Sequence, residues 1–400
     1  MNRIATGTVG MQLYFVINAR MPNKKAYGIQ VAKMCEAFIE SGVNLKLIVP
    51  RTRAARSTSI QEFYKLRVEV PTQMLPAIDW YGFGKLAFIV SSLVFMLTSG
   101  LYVWWRRLSG ERFIVYTVEM DTLSFTCLSL SGAAVVVEMH GPQSSNIFTR
   151  FFFRHVSFVV ATNSEIKNSL KDMFHIADEK FLVEPNGADL TALGHVPNRE
   201  EARKRLAVSP DVKIALYVGR FFEWKGLEIL TDAARRAPEI AWYVVGGSLE
   251  EFCAVTGVQN IPENLHVVGE CESYEVPIWL SAADALVILG TKNNEASFRH
   301  TSPMKVFEYM AAQRPIIASD TPALRSIVSE EYVHFYVPDD ATSLSERVKE
   351  VLGSPEGGTH TSNARTFAEQ HSWSRRAQRI IERVILAQEA RENIKNKQLI

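Results

Sequence analysis

The stretch KIALYVGRFFEWKGLEIL, residues 213–230, decides how the rest of the chain is read. Residues 213–219 are almost wholly apolar and rich in β-branched and aromatic side chains, the pattern of a parallel strand covered on both faces. Gly219 ends the run, and over 227–237 apolar residues recur at helical spacing. A strand, a glycine-containing loop and a helix thus follow one another, with Arg220 and Lys225 on the loop and Gly226 at the helix entrance. Glycine lets a backbone approach a ligand closely, and a helix start offers unpaired N–H groups to an anion. The combination suits a diphosphate. On its own, the pair Arg220 and Lys225 reads as solvated loop charge.

A second constellation adds weight to the first. After an apolar run at 283–289 comes the polar loop TKNNEASFRHT (291–301), then SPMKVFEYMAAQRPIIASD (302–320). Ser302 is a suitable N-cap and Pro303 a suitable first helical residue, so the N–H groups of Met304 and Lys305 would point towards an incoming anion. Glu308 stands about one turn further in, where a carboxylate repels phosphate but accepts hydrogen bonds from ribose hydroxyls. The alternative for Glu308 is an ordinary surface pairing with Lys305, three residues away.

Outward from these motifs, short apolar runs alternate with helical patterns. In the first half they fall at 13–19, 44–50, 112–118, 133–139, 157–162 and 180–185. In the second they fall at 213–219, 240–246, 264–269, 283–289, 314–319 and 332–337. This is the pattern of βα units around parallel sheets. The expected fold class is α/β, with two facing Rossmann-like, doubly wound domains and a ligand cleft between them at the carboxyl ends of the strands. The expected division is 1–190, 191–373, and a closing C-terminal helix over 374–400. Residues 51–59, rich in Arg, Ser and Thr, read as an exposed loop.

The 400 residues are 47% hydrophobic and 22% charged, with 44 basic against 43 acidic side chains, so a partner bound by bulk charge, such as nucleic acid, is not expected. The charge is uneven: residues 1–110 hold 14 Lys and Arg against 5 Asp and Glu. Within this basic part lies LAFIVSSLVFMLTSGLYVWW (86–105), twenty residues without a charge, preceded by Lys85 and followed by Arg106 and Arg107. Three readings stand: an interfacial helix, a buried core helix, or a true span. A span conflicts with the strand-like runs on both sides belonging to one sheet. Ser91, Ser92, Thr98 and Ser99 interrupt the run, and its aromatic and basic end suits a membrane-surface anchor over 86–107, so a charge at Phe95 is expected to abolish membrane association. Cys35, Cys127, Cys253 and Cys271 have no CxxC spacing, which fits a reducing compartment, and the N-terminus lacks the pattern of a secretory leader.

YVGRFFEWKGLEIL with SPMKVFEYMAAQRPIIASD resembles the donor-binding half of family 4 retaining glycosyltransferases of the GT-B fold, of the bacterial surface-polysaccharide type. VEPNGADL (183–190) is similar to their interdomain NG-D segment, and RMPNKKAYGIQVAKMCEAFIESG (20–42) and VVVEMHG (135–141) resemble the acceptor-side half. The resemblance implies a nucleotide diphosphate sugar as donor substrate, no cofactor and no metal. Gly219, Arg220 and Lys225 would meet the diphosphate, Ser302, Met304 and Lys305 would cradle its distal phosphate, and Glu308 would hold the ribose. Gly28, expected in the loop after the first strand, would let backbone approach the ligand. His140 would lie near the transferred sugar; its alternative is a satisfied histidine at a strand end. His300 stands where the family usually carries a first glutamate, with Glu295 as a substitute, and Pro303 stands where relatives often have glycine. The basic first part of the chain and the stretch 86–105 point to an acceptor embedded in or attached to a membrane, such as a lipid-linked sugar or a growing surface polysaccharide, and the expected location is cytoplasmic, peripheral on the inner face of the cell membrane. Two rival readings are a sugar-nucleotide epimerase and a non-catalytic nucleotide-sugar-binding subunit. No GxGxxG supports a dinucleotide-dependent dehydrogenase; Gly246 and Gly247 are only a GG before a helix.

Overall fold

The computed structural model describes residues 12–52, 58–80, 82–118, 125–190, 197–272, 275–302, 304–354 and 357–397, with side chains left out for 357–362 and 387–397. Most of the expected loop at 51–59 and all of Pro303 lie outside the described residues. The chain forms two compact units, Met1–Glu184 with Trp373–Ile400, and Pro185–Ser372. The closing helix Trp373–Lys397 thus belongs to the first unit instead of standing as a separate segment.

Unit 1 holds a parallel sheet of β1 (Gln12–Val16), β2 (Asn44–Pro50), β3 (Thr72–Leu75), β4 (Phe113–Val118), β5 (Ala134–Met139), β6 (Phe158–Ala161) and β7 (Phe181–Val183), in the order β3-β2-β1-β4-β5-β6-β7. Central β1 sets Phe15 beside Leu47 of β2 and Tyr116 of β4. On one face Phe15 and Tyr116 meet Phe38 of the helix Ala26–Glu40 edge to face, against which the helix Trp373–Lys397 packs. On the other face Tyr14, Val16 and Val115 join Phe95, Val103, Phe125 and Leu128.

Unit 2 holds β8 (Lys213–Val218), β9 (Ile240–Val245), β10 (Leu265–Gly269), β11 (Ala285–Ile288), β12 (Ile316–Ser319) and β13 (His334–Tyr336), in the order β10-β9-β8-β11-β12-β13. Alternation along β8 sends Ile214, Leu216 and Val218 to one core and Ala215 and Tyr217 to the other. The winding direction reverses between β8 and β11, so the loops after these two strands flank the sheet's switch point.

Every expected strand is present; β3 is an addition. Its sequence, TQML between Pro71 and Pro76, is an edge strand that pairs only with β2 and buries only Leu75, so it lacks an apolar run to betray it.

The uncharged stretch forms the helix Lys85–Leu108, which connects β3 to β4. Both strands lie in one parallel sheet, an arrangement that a bilayer crossing between them would break. Nor is it a buried core helix: only a third of its most apolar window is covered. The covered stripe is Ser91, Ser92, Phe95, Ser99, Gly100 and Val103. Ser92 Oγ accepts from Asn18 Nδ2 at 3.1 Å, Ser99 Oγ donates to the Phe95 carbonyl at 2.6 Å, and a Cβ on Gly100 would come within 2.8 Å of Cys127 Cβ. Small polar residues thus let the helix sit close on the domain, and most of the large apolar ones are left outside: Leu86, Val90, Leu97, Leu101, Trp104, Trp105 and Leu108 are all exposed. Phe95 lies on the covered stripe, so a charge there would report on folding instead of membrane contact.

Phe95→Ala should cost about 3–5 kcal/mol in denaturant unfolding through the cavity it leaves, whereas Leu97→Ala, two residues away, should stay within about 0.5 kcal/mol. Equal losses would mean that the helix faces the other way.

Candidate active site

The end of β8 and the loop after it pack so closely on their neighbours that glycine is required at two positions, one after β9 and one after β8. Gly246 has φ +138°, and a Cβ there would collide with the carbonyl of Gly219, whose own N–H donates to Val245 O at 2.9 Å. Gly226, with φ +72°, closes the short 3-10 turn Glu223–Lys225, and a Cβ there would meet Thr291 Cβ at 3.0 Å. The loops after β8 and β11 therefore touch, as the switch point requires. Asp339 Oδ2 and Ser297 Oγ fix the second loop by accepting from the N–H groups of Lys292 and Thr291 at 3.0 and 3.1 Å.

This turn carries Lys225 back over the strand end. Its Nζ donates to the Arg220 carbonyl at 3.0 Å and the Tyr217 hydroxyl at 3.3 Å, and lies 5.2 Å from the Phe222 ring centre and 5.6 Å from that of Trp224. No carboxylate pairs with it among the described residues. Burial, with repulsion from Lys305 and Arg220, pulls its pKa down to about 8. Three cations thus gather beside Gly219, and a bound anion would relieve their mutual repulsion.

The helix Lys305–Ala311 supplies the second half of this arrangement. Tyr309 ties it to β8: its hydroxyl accepts from the Val218 N–H at 2.8 Å. Glu308 Oε2 accepts from Lys305 Nζ at 2.6 Å, the pairing that the three-residue spacing allows, and its other carboxylate oxygen has no partner among the described residues.

Ser302 is placed differently from expectation. The helix begins at Lys305 behind Met304, which is already αR, so Ser302 lies too early to cap it. Ser302 Oγ instead accepts from Asn186 N–H at 3.3 Å, and its carbonyl accepts from Asn186 Nδ2 at 3.2 Å. Asn186, from the NG-D segment, thereby anchors the loop. The polar run before Ser302 contains a π-helical turn, Ala296–His300, that no periodicity announced. Glu295 is 69% exposed and paired with Arg299 at 3.2 Å.

Gly28 also departs from its expected loop. It is the third residue of the helix Ala26–Glu40 and is buried; a Cβ there would overlap the Tyr64 hydroxyl and approach Asn23 Oδ1 at 2.7 Å. It makes room for Tyr64, whose hydroxyl accepts from Asn23 N–H at 2.8 Å and donates to Asn23 O at 2.7 Å. His140 follows β5 in unit 1, with Nε2 at 2.7 Å from Glu138 Oε1.

Beside Lys225, a depression of ≈ 350 Å³ in unit 2 is lined by Glu223, Trp224, Glu228, Thr291, Asn293 and Asn294. It offers carboxylates and amides to hydroxyl groups and an indole to an apolar ring face. Of these residues the sequence reading singled out none, since Glu, Asn and Trp on separate loops carry no spacing signal.

Residues 198–378 match the family model described as "Glycosyl transferases group 1". The second unit carries a group 1 glycosyltransferase domain. The domain spans β8 to β13, so Gly219, Arg220, Lys225, Met304, Lys305 and Glu308 all lie inside it. A processive diacylglycerol alpha-glucosyltransferase of Acholeplasma laidlawii is 22% identical over 187 residues, covering 44% of this chain and 54% of the relative. The chain spans about half the length of the curated relatives it matches. In fold it matches sucrose-phosphate synthase from Thermosynechococcus elongatus, with TM-score 0.74, 19% identity and coverage of 95% of this chain and 100% of that one. HepE of Anabaena, solved with UDP and glucose, aligns at TM-score 0.67 and 16% identity over 94% of this chain and 99% of its own. These are glycosyltransferase GT-B folds, with two Rossmann-like units, and this chain shares that fold.

Since burial and the neighbouring cations pull the Lys225 pKa down to about 8, affinity for a nucleoside diphosphate should be level between about pH 7 and 8, where its terminal phosphate is ionised, and fall above about pH 8, by up to about tenfold per unit, in calorimetric titration. Removing the strained cation in Lys225→Met should abolish that binding and raise the melting temperature by about 2–4 °C. A variant that binds normally would remove Lys225 from the site.

Proposed function

We propose that this protein transfers a glycosyl group from a nucleoside diphosphate sugar to an acceptor hydroxyl, with the anomeric configuration kept. The observation that carries the reading is the cation cluster of Arg220, Lys225 and Lys305 beside Gly219, within a group 1 glycosyltransferase domain. The bond between the anomeric carbon and the leaving phosphate oxygen breaks and one to the acceptor oxygen forms. The acceptor's proton passes to the leaving diphosphate, whose charge the cluster stabilises. Glu308 holds the ribose through the carboxylate oxygen that Lys305 leaves open. Gly219 and the N–H groups of Met304 and Lys305 meet the phosphates, and Ser302 serves by holding their loop to Asn186. His140 contacts the transferred sugar. The cluster supplies the charge that a divalent cation would otherwise supply, so the reaction needs neither metal nor organic cofactor.

The acceptor in this proposal is a membrane-linked glycan or lipid used in polysaccharide biosynthesis, reached from the cytoplasmic face of the cell membrane. Support comes from the helix Lys85–Leu108. Leu86, Val90, Leu97, Leu101, Trp104 and Leu108 recur at helical spacing on its exposed side, and exposed Lys85 and Arg107 stand at its ends. Trp80 and Phe83 just before the helix, and Ile147 and Phe148 at the start of Ile147–His155, are exposed as well. An apolar ridge flanked by cations on a basic segment fits an anionic bilayer surface, entered to the depth of one side chain layer. The relative from Acholeplasma laidlawii is named for a lipid acceptor, diacylglycerol.

A panel of nucleotide sugars should contain one that raises the melting temperature and is turned over with an acceptor extract at an unchanged rate in EDTA. Lys225→Ala and Glu308→Ala should each lower turnover by about 10²–10³-fold while remaining folded. Turnover without any acceptor would point to an epimerase, and binding without turnover to a non-catalytic subunit. Separately, the protein should sediment with vesicles containing anionic phospholipid, less so at high salt, and Leu97→Glu with Leu101→Glu should leave it in the supernatant. Wild-type protein indifferent to such vesicles would remove the membrane part of the reading.

A further inference from the structure

Glu138, in β5, is fully buried and sits two residues before His140. Its Oε1 receives Gln30 Nε2 at 2.8 Å, Arg376 Nη2 at 2.9 Å and His140 Nε2 at 2.7 Å; its Oε2 receives Arg376 Nη1 at 3.1 Å and the Tyr116 hydroxyl. Gln30 comes from the helix Ala26–Glu40, Tyr116 from β4, and Arg376, also fully buried, from the helix Trp373–Lys397. Arg376 Nη2 also lies 3.3 Å from the Glu184 carbonyl, while the Glu184 carboxylate takes Arg379. A single carboxylate thus gathers the ends of two strands and two helices, and the only partner of the set that reaches solvent is His140, 29% exposed.

The electrostatics make the carboxylate an acceptor only. Burial by itself would raise its pKa, but the Arg376 guanidinium and the hydrogen bond from His140 outweigh that and hold it far below the usual carboxylate range. An ionised carboxylate has no proton to give, so each of the five contacts must be donated to it. For Gln30 this fixes the amide with Nε2 towards Glu138, and its Oε1 is left buried without a partner among the described residues. For His140 it requires a proton on Nε2.

We propose that Glu138 is the positioning residue of His140, holding the imidazole in one orientation and in its Nε2–H tautomer, with the Arg376 ion pair keeping Glu138 in place. In the neutral ring the remaining nitrogen, Nδ1, is then an acceptor and never a donor. A hydroxyl-bearing ligand meeting this ring must donate to it, which suits a sugar alcohol and excludes a phosphate oxygen. That last step rests on the proposed glycosyl transfer; the tautomer does not. The rival account is a polar plug that only ties the closing helix to the sheet, with His140 on it by chance.

The test is ¹⁵N NMR of the full chain labelled at histidine, with His140→Gln assigning the signal. Wild-type protein without ligand should show His140 with the proton on Nε2. Glu138→Gln leaves Arg376 buried beside a neutral amide and is at risk of unfolding, so the informative variant is Glu138→Leu with Arg376→Met, which replaces the pair by apolar groups of similar size. In this variant His140 should shift to a mixture of tautomers, and kcat should fall about tenfold, the worth of one lost hydrogen bond, with the donor KM within about twofold. A wild-type proton on Nδ1, or an unchanged Nε2–H tautomer in the folded double variant, would overturn the proposal. Absence of transferase activity in wild-type protein would sink the functional reading and leave the tautomer result standing.

Discussion

Parallel strands cannot be joined by tight hairpins: each must be followed by a crossover that returns the chain to the same end of the sheet, and the crossovers must cover both faces. Nearly everything in this protein follows from that constraint, met twice. It forces the strands of both units to be short and apolar on both sides, and it delivers every strand-to-helix loop of a unit to one edge. In unit 2 it also sets a reversal between β8 and β11, so the two loops that meet there, Gly219–Gly226 and Gly290–Ser302, are neighbours although 70 residues separate the strands they follow. The cations of the candidate site are close because the topology leaves them nowhere else to be.

Within that frame, the site is built from contacts that oppose stability locally. Lys225 is buried beside two further cations without a carboxylate among the described residues, an arrangement that lowers its affinity for its own proton even though three aromatic rings lie within cation–π reach. The surroundings that hold it are rigid: Tyr309 pins the strand end, Gly246 packs on the Gly219 carbonyl, and Gly226 abuts Thr291. A cation kept in a repulsive position by well-packed neighbours is preorganised for an anion, since binding relieves repulsion and requires little rearrangement. Glu138 illustrates the opposite solution in unit 1, where a buried charge is matched so fully that it becomes a fixed point from which neighbouring groups take their orientation.

The helix Lys85–Leu108 inverts the usual relation between hydrophobicity and burial. Its serines and glycine face the domain because close approach to Cys127 and Asn18 requires small side chains, and their hydroxyls are satisfied within the helix or by Asn18. Of its bulky side chains only Phe95 and Val103 enter the core there. Hydropathy alone marks the segment as membrane-like, and the sheet on either side of it limits the meaning of that mark to one face.

The positions and type of the strands were legible in the sequence because two-sided burial leaves continuous apolar runs, and the placement of Gly219, Arg220 and Lys225 just after a strand was legible because a glycine ends one such run and a helical period follows. Edge strand β3 escaped because an edge needs no such run. The start of the helix at Lys305, the placement of Gly28 inside a helix, and the roles of Tyr309, Asn186 and Arg376 were decided only by tertiary structure. The last four depend on partners at least 36 residues away, and local propensity carries no information about a contact at that separation. Which side of the apolar helix faces outward was settled in the same way, by the space the folded sheet leaves for it.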